Sequence, residues 1–247
     1  MDRQRLSSIA HSHHPIAAPI SGVNVNRLLR RAGRGPAARI LDLGCGEAAW
    51  ALQALAHHPD GVADGVGLSP YALERAAEAA TARGLTDRLT LHQRDARGYV
   101  PDGDYDLVMC VGATHVFGGF RETLVAAGRH VHPDGVLLVG EGFWAVPPTP
   151  DVATLGDHDD LAGLVDAAEE CGWTPIYVHV SDQAEWDTYE WSWAGSLTEW
   201  ALDNPGHPDA AEALAEARRH RERWLRGYRG VLGFATLVLR RDRKPEM

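Results

Sequence analysis

The chain has 247 residues, with 24 Lys and Arg against 34 Asp and Glu and a formal net charge of −10. That length suits one large α/β domain, or one with a substantial insertion, able to bury a core without disulfide or metal staples. The three scattered cysteines, Cys45, Cys110 and Cys171, point to a reducing, cytoplasmic setting; the acidic balance disfavours a nucleic-acid partner, and the absence of a long apolar run or a signal-peptide core argues against a membrane span or an export signal.

In chain order, residues 1–22 read as loop, carrying His11, His13 and His14 between polar residues and prolines. The histidine spacing matches no zinc pattern, so the sequence offers no metal site; a free terminus, or an arm folding over a site, are the alternatives. Val23 to Ala32 reads as a short helix. From Arg39 the pattern alternates. Ile40 to Leu43 is a strand and Ala48 to His57 a helix. Val62 to Leu68 is a second strand, followed by a helix that opens with Ser69 as N-cap and Pro70 at the first position and stops at Gly84. Arg88 to Gln93 and Tyr105 to Val111 are strands three and four, the latter apolar enough to be central. Phe120 to Val131 is helical, His132 to Gly135 a turn, and Val136 to Gly140 the fifth strand.

The remainder holds a helix (Asp159 to Glu170), a strand (Ile176 to Val180), and about fifty residues before a last strand, Val231 to Leu239. Those fifty carry five of the eight tryptophans, and Asp209 with Glu212 suggests a capping box opening a helix from Ala210 to Arg226. A charged tail runs from Arg240 to Met247. Seven strands alternating with helices imply an α/β, doubly wound, mostly parallel sheet with helices on both faces.

Leu41-Asp42-Leu43-Gly44-Cys45-Gly46 places a glycine-rich turn between strand and helix. Glycine lets a ligand approach the backbone, and the helix start beyond offers free N–H groups. The third glycine of a dinucleotide fingerprint is absent, which disfavours a nicotinamide cofactor. Together with Gly65 to Pro70, His92 to Ala96 and Tyr105 to Gly112, in that order, this segment resembles the class I S-adenosylmethionine (SAM) methyltransferases, well over Arg39 to Trp144 and loosely elsewhere.

The resemblance implies a Rossmann-like methyltransferase fold with helical cap insertions. It divides the chain into an N-terminal arm (1–32), a SAM-binding core (33–181), a helical substrate cap (182–229) and a last strand (230–241). Gly44, Cys45 and Gly46 would lie against the methionine part of SAM, and Asp42 would help hold its ammonium or simply tie the turn together. Leu68, Ser69 and Val111 would line the cofactor, with Asp95 and Ala96 meeting the adenine. The family usually carries an acid where Gly67 stands, which accepts from both ribose hydroxyls; its loss could cost on the order of 1.5–3 kcal/mol. Ser69, a water, or a carboxylate such as Glu47 or Asp64 would have to substitute.

His115, in the loop after strand four, is the first candidate for a general base, since an ordinary imidazole titrates near neutral pH; otherwise it ties its loop to backbone. Glu141, at the end of strand five, would line the pocket or remain a solvated loop carboxylate. Trp186, Tyr189, Trp193, Leu197 and Trp200 share one helical face with Glu190 on the same side. Such a stripe is core, or with Trp144 a surface for an amine or aromatic acceptor. The expected activity is methyl transfer from SAM to a small molecule, leaving S-adenosylhomocysteine (SAH), in a monomer or homodimer. The alternatives are SAM chemistry without an external acceptor, releasing methylthioadenosine, and a non-catalytic binding module.

Overall fold

The computed structural model describes residues 1–241, and its seven strands form one sheet. They are β1 (Arg39–Leu43), β2 (Val62–Gly67), β3 (Leu89–Gln93), β4 (Tyr105–Val111), β5 (Val131–Trp144), β6 (Trp173–Val180) and β7 (Leu232–Arg241). The order is β3-β2-β1-β4-β5-β7-β6. The pairs β3–β2, β2–β1, β1–β4 and β4–β5 are parallel, while β7 is antiparallel to both β5 and β6. Strand order reverses between β1 and β4, which opens a crevice at their carboxyl ends.

The helices are α1 (Arg3–Ala10), α2 (Gly22–Ala32), α3 (Ala49–His57), α4 (Pro70–Ala82), α5 (Phe120–Gly128), α6 (Pro150–Ala153), α7 (Leu161–Glu170), α8 (Gln183–Asp203) and α9 (Ala210–Arg223). Period-two alternation divides the strand residues between two cores. Ile40 and Leu107 pack with Leu28 and Leu29 of α2, Leu52 and Leu55 of α3 and Leu73 of α4. Leu41 and Val108 pack on the other face with Phe120 and Leu124 of α5 and Leu164 of α7. A third cluster joins Ala10 of α1, Leu197 and Ala201 of α8, and Ala213 and Ala217 of α9. No helix among the described residues is long and apolar enough to cross a membrane.

Four expectations are corrected. Residues 1–22 are not all loop, because Asp2 accepts from the Gln4 and Arg5 N–H groups and starts α1. His132 to Gly135 lie inside β5, where the register against β4 jumps from Tyr105↔Val131 to Leu107↔Val136; they form an irregularity in the strand rather than a turn before it. The fifth strand continues past Gly140 to Trp144, because β7 pairs with it throughout, from Leu137↔Leu239 to Trp144↔Leu232.

The capping box also moves. Asp209 has helical backbone angles (φ −89°, ψ −4°), and its side chain caps nothing. The box sits at the start of α8, where the Asp182 carboxylate accepts the Glu185 N–H at 2.9 Å and Glu185 accepts the Asp182 N–H at 3.3 Å. Of the charged tail, Arg240 and Arg241 end β7, and 242–247 fall outside the described residues.

Candidate functional site

The crevice holds a cleft of about 630 Å³ lined by the loops after β1, β2, β3 and β4 and by α1. Its floor is the turn after β1. Gly44 and Gly46 have φ of +76° and +53°, the left-handed region in which a side chain is strained. The Gly44 and Cys45 N–H groups both donate to the Val66 carbonyl at 2.9 and 3.0 Å, fixing the turn to β2. A Cβ on Gly44 would stand 2.4 Å from the Ala113 Cβ, whereas one on Gly46 would meet nothing within 4 Å. Gly44 is therefore required by neighbouring chain, and the surface over Gly46 is free for a ligand.

Asp42 and Cys45 lie behind this turn. Asp42 is buried, one carboxylate oxygen has no partner, and burial pushes its pKa up to about 7, opposed by a hydrogen bond from the Ala51 N–H. Burial also pushes the Cys45 thiol up, and its Sγ is the nearest atom to a Cβ added on Gly67, at 3.4 Å.

The side walls are Val66 to Ser69, Arg94, Ala96, Gly112, Ala113, His115 and Val116. Ser69 Oγ also caps α4 by accepting the Ala72 N–H at 3.3 Å. His115 is exposed on a short 3₁₀ turn, Thr114–Val116. Helix α1 roofs the cleft with Arg3, Gln4, Ser7 and Ser8, His11 adds to the roof just beyond its end, and Tyr189 reaches in from α8. His11 Nδ1 lies 2.8 Å from the Ser7 carbonyl, which can only accept, so this nitrogen carries the proton; Nε2 then accepts from the Tyr189 hydroxyl at 3.3 Å. Burial pushes the His11 pKa down and keeps the ring neutral. Glu47 is the one carboxylate lining the cleft among the described residues.

Gly44, Gly46, Leu68, Ser69, Ala96, His115 and Tyr189 thus come together at one cleft. The other candidates do not line it. Asp95 caps its own turn, accepting the Arg97 N–H at 3.0 Å and pairing with that guanidinium, which holds its carboxyl below the usual range. Val111 packs against the core one residue short of the cleft. Glu141 is a strand residue rather than a loop residue, since β5 runs on; its Oε1 accepts the Gly142 N–H at 2.7 Å and faces His158 at 3.9 Å. Trp144 packs edge-on against that histidine.

Glu190 is turned away from the cleft and 2% exposed, accepting from His220 Nε2 at 2.6 Å and from the Tyr228 hydroxyl at 2.7 Å. Trp193 stacks on His220 at 3.8 Å, and Trp186 meets Tyr189 and Tyr228 edge-on. The stripe therefore turns one hydroxyl, that of Tyr189, to the site, Trp186 to the sheet core and the Trp224–Tyr228 turn, and Trp193, Leu197 and Trp200 to the cap interior. Sequence reasoning missed Arg3, Ser7, Ser8 and Arg94; the signal for the three on α1 was the Asp2 cap, and Arg94 lay unremarked inside the His92 to Ala96 segment. The three histidines diverge, His14 meeting the Ala18 carbonyl and His13 facing Glu199.

Residues 40–135 match the family model for a methyltransferase domain. The chain is 30% identical to the uncharacterised protein YjhP of Escherichia coli (strain K12), over 97% of this chain and 99% of that one. It is 30% identical to the solved SAM-dependent methyltransferase of Geobacter sulfurreducens in complex with SAH, with a TM-score of 0.89 over 96% of this chain and 98% of that one. A SAM-dependent methyltransferase from Thiobacillus denitrificans, also in complex with SAH, gives 29% identity and a TM-score of 0.89 over 98% and 100%.

Proposed function

The chain belongs to the class I SAM-dependent methyltransferases, and on that premise we propose that it binds SAM in the strand-end cleft and methylates a small-molecule acceptor beneath α1 and α8, leaving SAH. The residues present fit the cofactor. The left-handed turn at Gly44 and Gly46 leaves backbone bare on the cleft side, and a partnerless Asp42 oxygen lies buried behind it. By the family pattern, Leu68, Ser69 and Ala96 hold the nucleoside end and the Gly44–Gly46 turn the methionine end.

The observation that carries the acceptor class is the roof. α1 and Tyr189 cover a volume of about 630 Å³, which suits a cofactor with a small molecule rather than a polymer. When bound, the cofactor supplies an electrophilic methyl group on its sulfonium. The chain's work is to align the acceptor, to exclude water and to take up a proton where the acceptor loses one. We assign that uptake to His115, which is exposed on the cleft wall. His11 and Tyr189 form a second polar pair, in which the imidazole Nε2 holds the hydroxyl pointing into the site. In this reading residues 1–32 and 182–229 form the acceptor's cap, and Glu190 and Trp193 stabilise it from behind.

Titration calorimetry with SAH, SAM and NAD tests the cofactor, and incubation with SAM alone tests the reaction class. Micromolar SAH binding, no NAD binding and no methylthioadenosine are expected. Methylthioadenosine released without acceptor would replace methyl transfer by attack within the cofactor. Failure of SAH to bind would overturn the reading.

A further inference from the structure

We propose that Glu47, in the turn after β1, holds the ribose hydroxyls of the cofactor in place of the acid that the family carries where Gly67 stands; this rests on the SAM-binding reading above. A ribose diol offers two O–H donors, and a carboxylate is the side chain that accepts both most strongly. The end of β2 carries none.

Gly67 is not glycine for want of space. Its φ lies outside the left-handed region, and an added Cβ would make ordinary contacts, 3.4 Å to Cys45 Sγ and 3.6 Å to Leu73 Cδ2. An aspartate fits there, so the acid has been lost from a position that could hold it. The other substitutes are committed elsewhere. Asp64 Oδ1 is 2.6 Å from His92 Nε2, and Oδ2 accepts the Tyr105 hydroxyl at 3.0 Å. Ser69 Oγ is held as the cap of α4.

Glu47 stands next to the vacant slot, since the amide nitrogen of its neighbour Gly46 lies 4.0 Å from the Gly67 Cβ position. Its side chain is only 10% exposed. Arg75 Nε sits 3.2 Å from Oε1 without hydrogen-bond alignment, so this buried oxygen has no donor. Oε2 takes no hydrogen bond among the described residues either. Burial pushes the Glu47 pKa up and the neighbouring Arg75 guanidinium offsets only part of that push, so a carboxylate this enclosed, with both acceptors unfilled, is poised for a ligand's donors. Arg75 is itself held by the Ser8 and Ser12 carbonyls at 3.3 and 3.5 Å, at the end of α1 and just beyond. The roof and the ribose site thus share one guanidinium.

The test is SAH affinity by calorimetry for the wild type, Glu47→Gln, Gly67→Asp and the double variant, with adenosine and 2′,3′-dideoxyadenosine as probes of the diol. Glu47→Gln is expected to weaken SAH about ten- to hundredfold and to erase the preference for adenosine over its dideoxy analogue. Gly67→Asp alone brings no gain, because it sets a second carboxylate beside the first, yet on the Glu47→Gln background it restores affinity to within about fivefold of the wild type. Unfolding temperatures of the ligand-free variants show that each is folded. If Glu47→Gln binds SAH like the wild type, or Gly67→Asp alone tightens binding tenfold, Glu47 does not hold the ribose, even though the protein binds the cofactor. Should Glu47→Gln fail to fold, a wild type that binds adenosine and its dideoxy analogue equally would overturn the proposal. A wild type that binds no SAH overturns the cofactor reading itself.

Discussion

The turn after β1 and the helical cap face the same cleft but are built from different material. The turn is backbone: two left-handed glycines, two N–H groups on one carbonyl of the adjacent strand, and no room for a Cβ at Gly44. The cap is side chains meeting across long separations. His11 meets Tyr189, Glu190 meets His220 and Tyr228, and the buried Glu185 accepts from the Ser21 N–H and Asn24 Nδ2, each at 2.7 Å, and from His179 at 2.9 Å. Burial alone would raise the Glu185 pKa, but those donors outweigh it and hold it at about 2. Changes in the turn should therefore reach cofactor binding as well as stability, and changes in the cap stability alone, with Glu47 and Arg75 as the place where the two regions meet.

The sharpest test of that division is Gly44→Ala. The new Cβ would overlap Ala113 in a residue that also has to hold a positive φ. Strain of about 1–2 kcal/mol adds to overpacking of about 1–3 kcal/mol, and relief would tilt the turn into the cleft. We expect a destabilisation of about 2–5 kcal/mol in denaturant unfolding and loss of SAH binding by more than about a hundredfold. Gly46→Ala meets no neighbour and should cost only the strain, about 1–2 kcal/mol. Equal costs at the two positions would mean that Ala113 does not confine the turn.

In the cap, Glu190→Ala removes the acceptor of two side chains at once, leaving the Tyr228 hydroxyl and His220 Nε2 without it. The expected cost is about 2–4 kcal/mol, less than for a fully enclosed pair because the His220 side chain is partly exposed. SAH affinity should stay within about threefold of the wild type, since Glu190 does not line the cleft. A tenfold loss of SAH affinity in a folded Glu190→Ala protein would break the separation and return Glu190 to the site.

The same contrast explains what the sequence disclosed. The seven strands, the glycine turn and the Ser69-Pro70 helix start were legible because each is written in adjacent residues. Glu141 and Trp144 were placed at a strand end because the apolar run stops at Gly140; what carries β5 onward is pairing with β7, whose residues come about ninety positions later. The α8 stripe was legible as a stripe. Periodicity gives a face but not its neighbour, and here α1, α9 and the π-helical turn Trp224–Tyr228 share that face, so Tyr189 alone reaches the cleft. His11 was visible only as one of three histidines, because its tautomer and its partner depend on contacts made after folding.

Asp182 and Asp209 put the smallest and most local version of this contrast in two residues with the same spacing, Asp followed by Glu three positions on. Only Asp182 has extended backbone angles (φ −80°, ψ 172°), and only its side chain reaches the N–H three residues ahead. Asp209 turns instead toward α1 and its approach, 3.4 Å from the Met1 ammonium and 3.7 Å from Arg5, with the Asp209 and Arg5 side chains partly in solvent. Asp182→Ala should cost about 1 kcal/mol through the lost cap, and Asp209→Ala less than about 0.5 kcal/mol, because a solvent-screened pair contributes little. The ranking is decided by backbone angle rather than by motif. Should Asp209→Ala prove the costlier change, the α1–α9 contact would be holding the roof more firmly than the capping box holds α8, and the roof's attachment would need to be sought there rather than at Arg75.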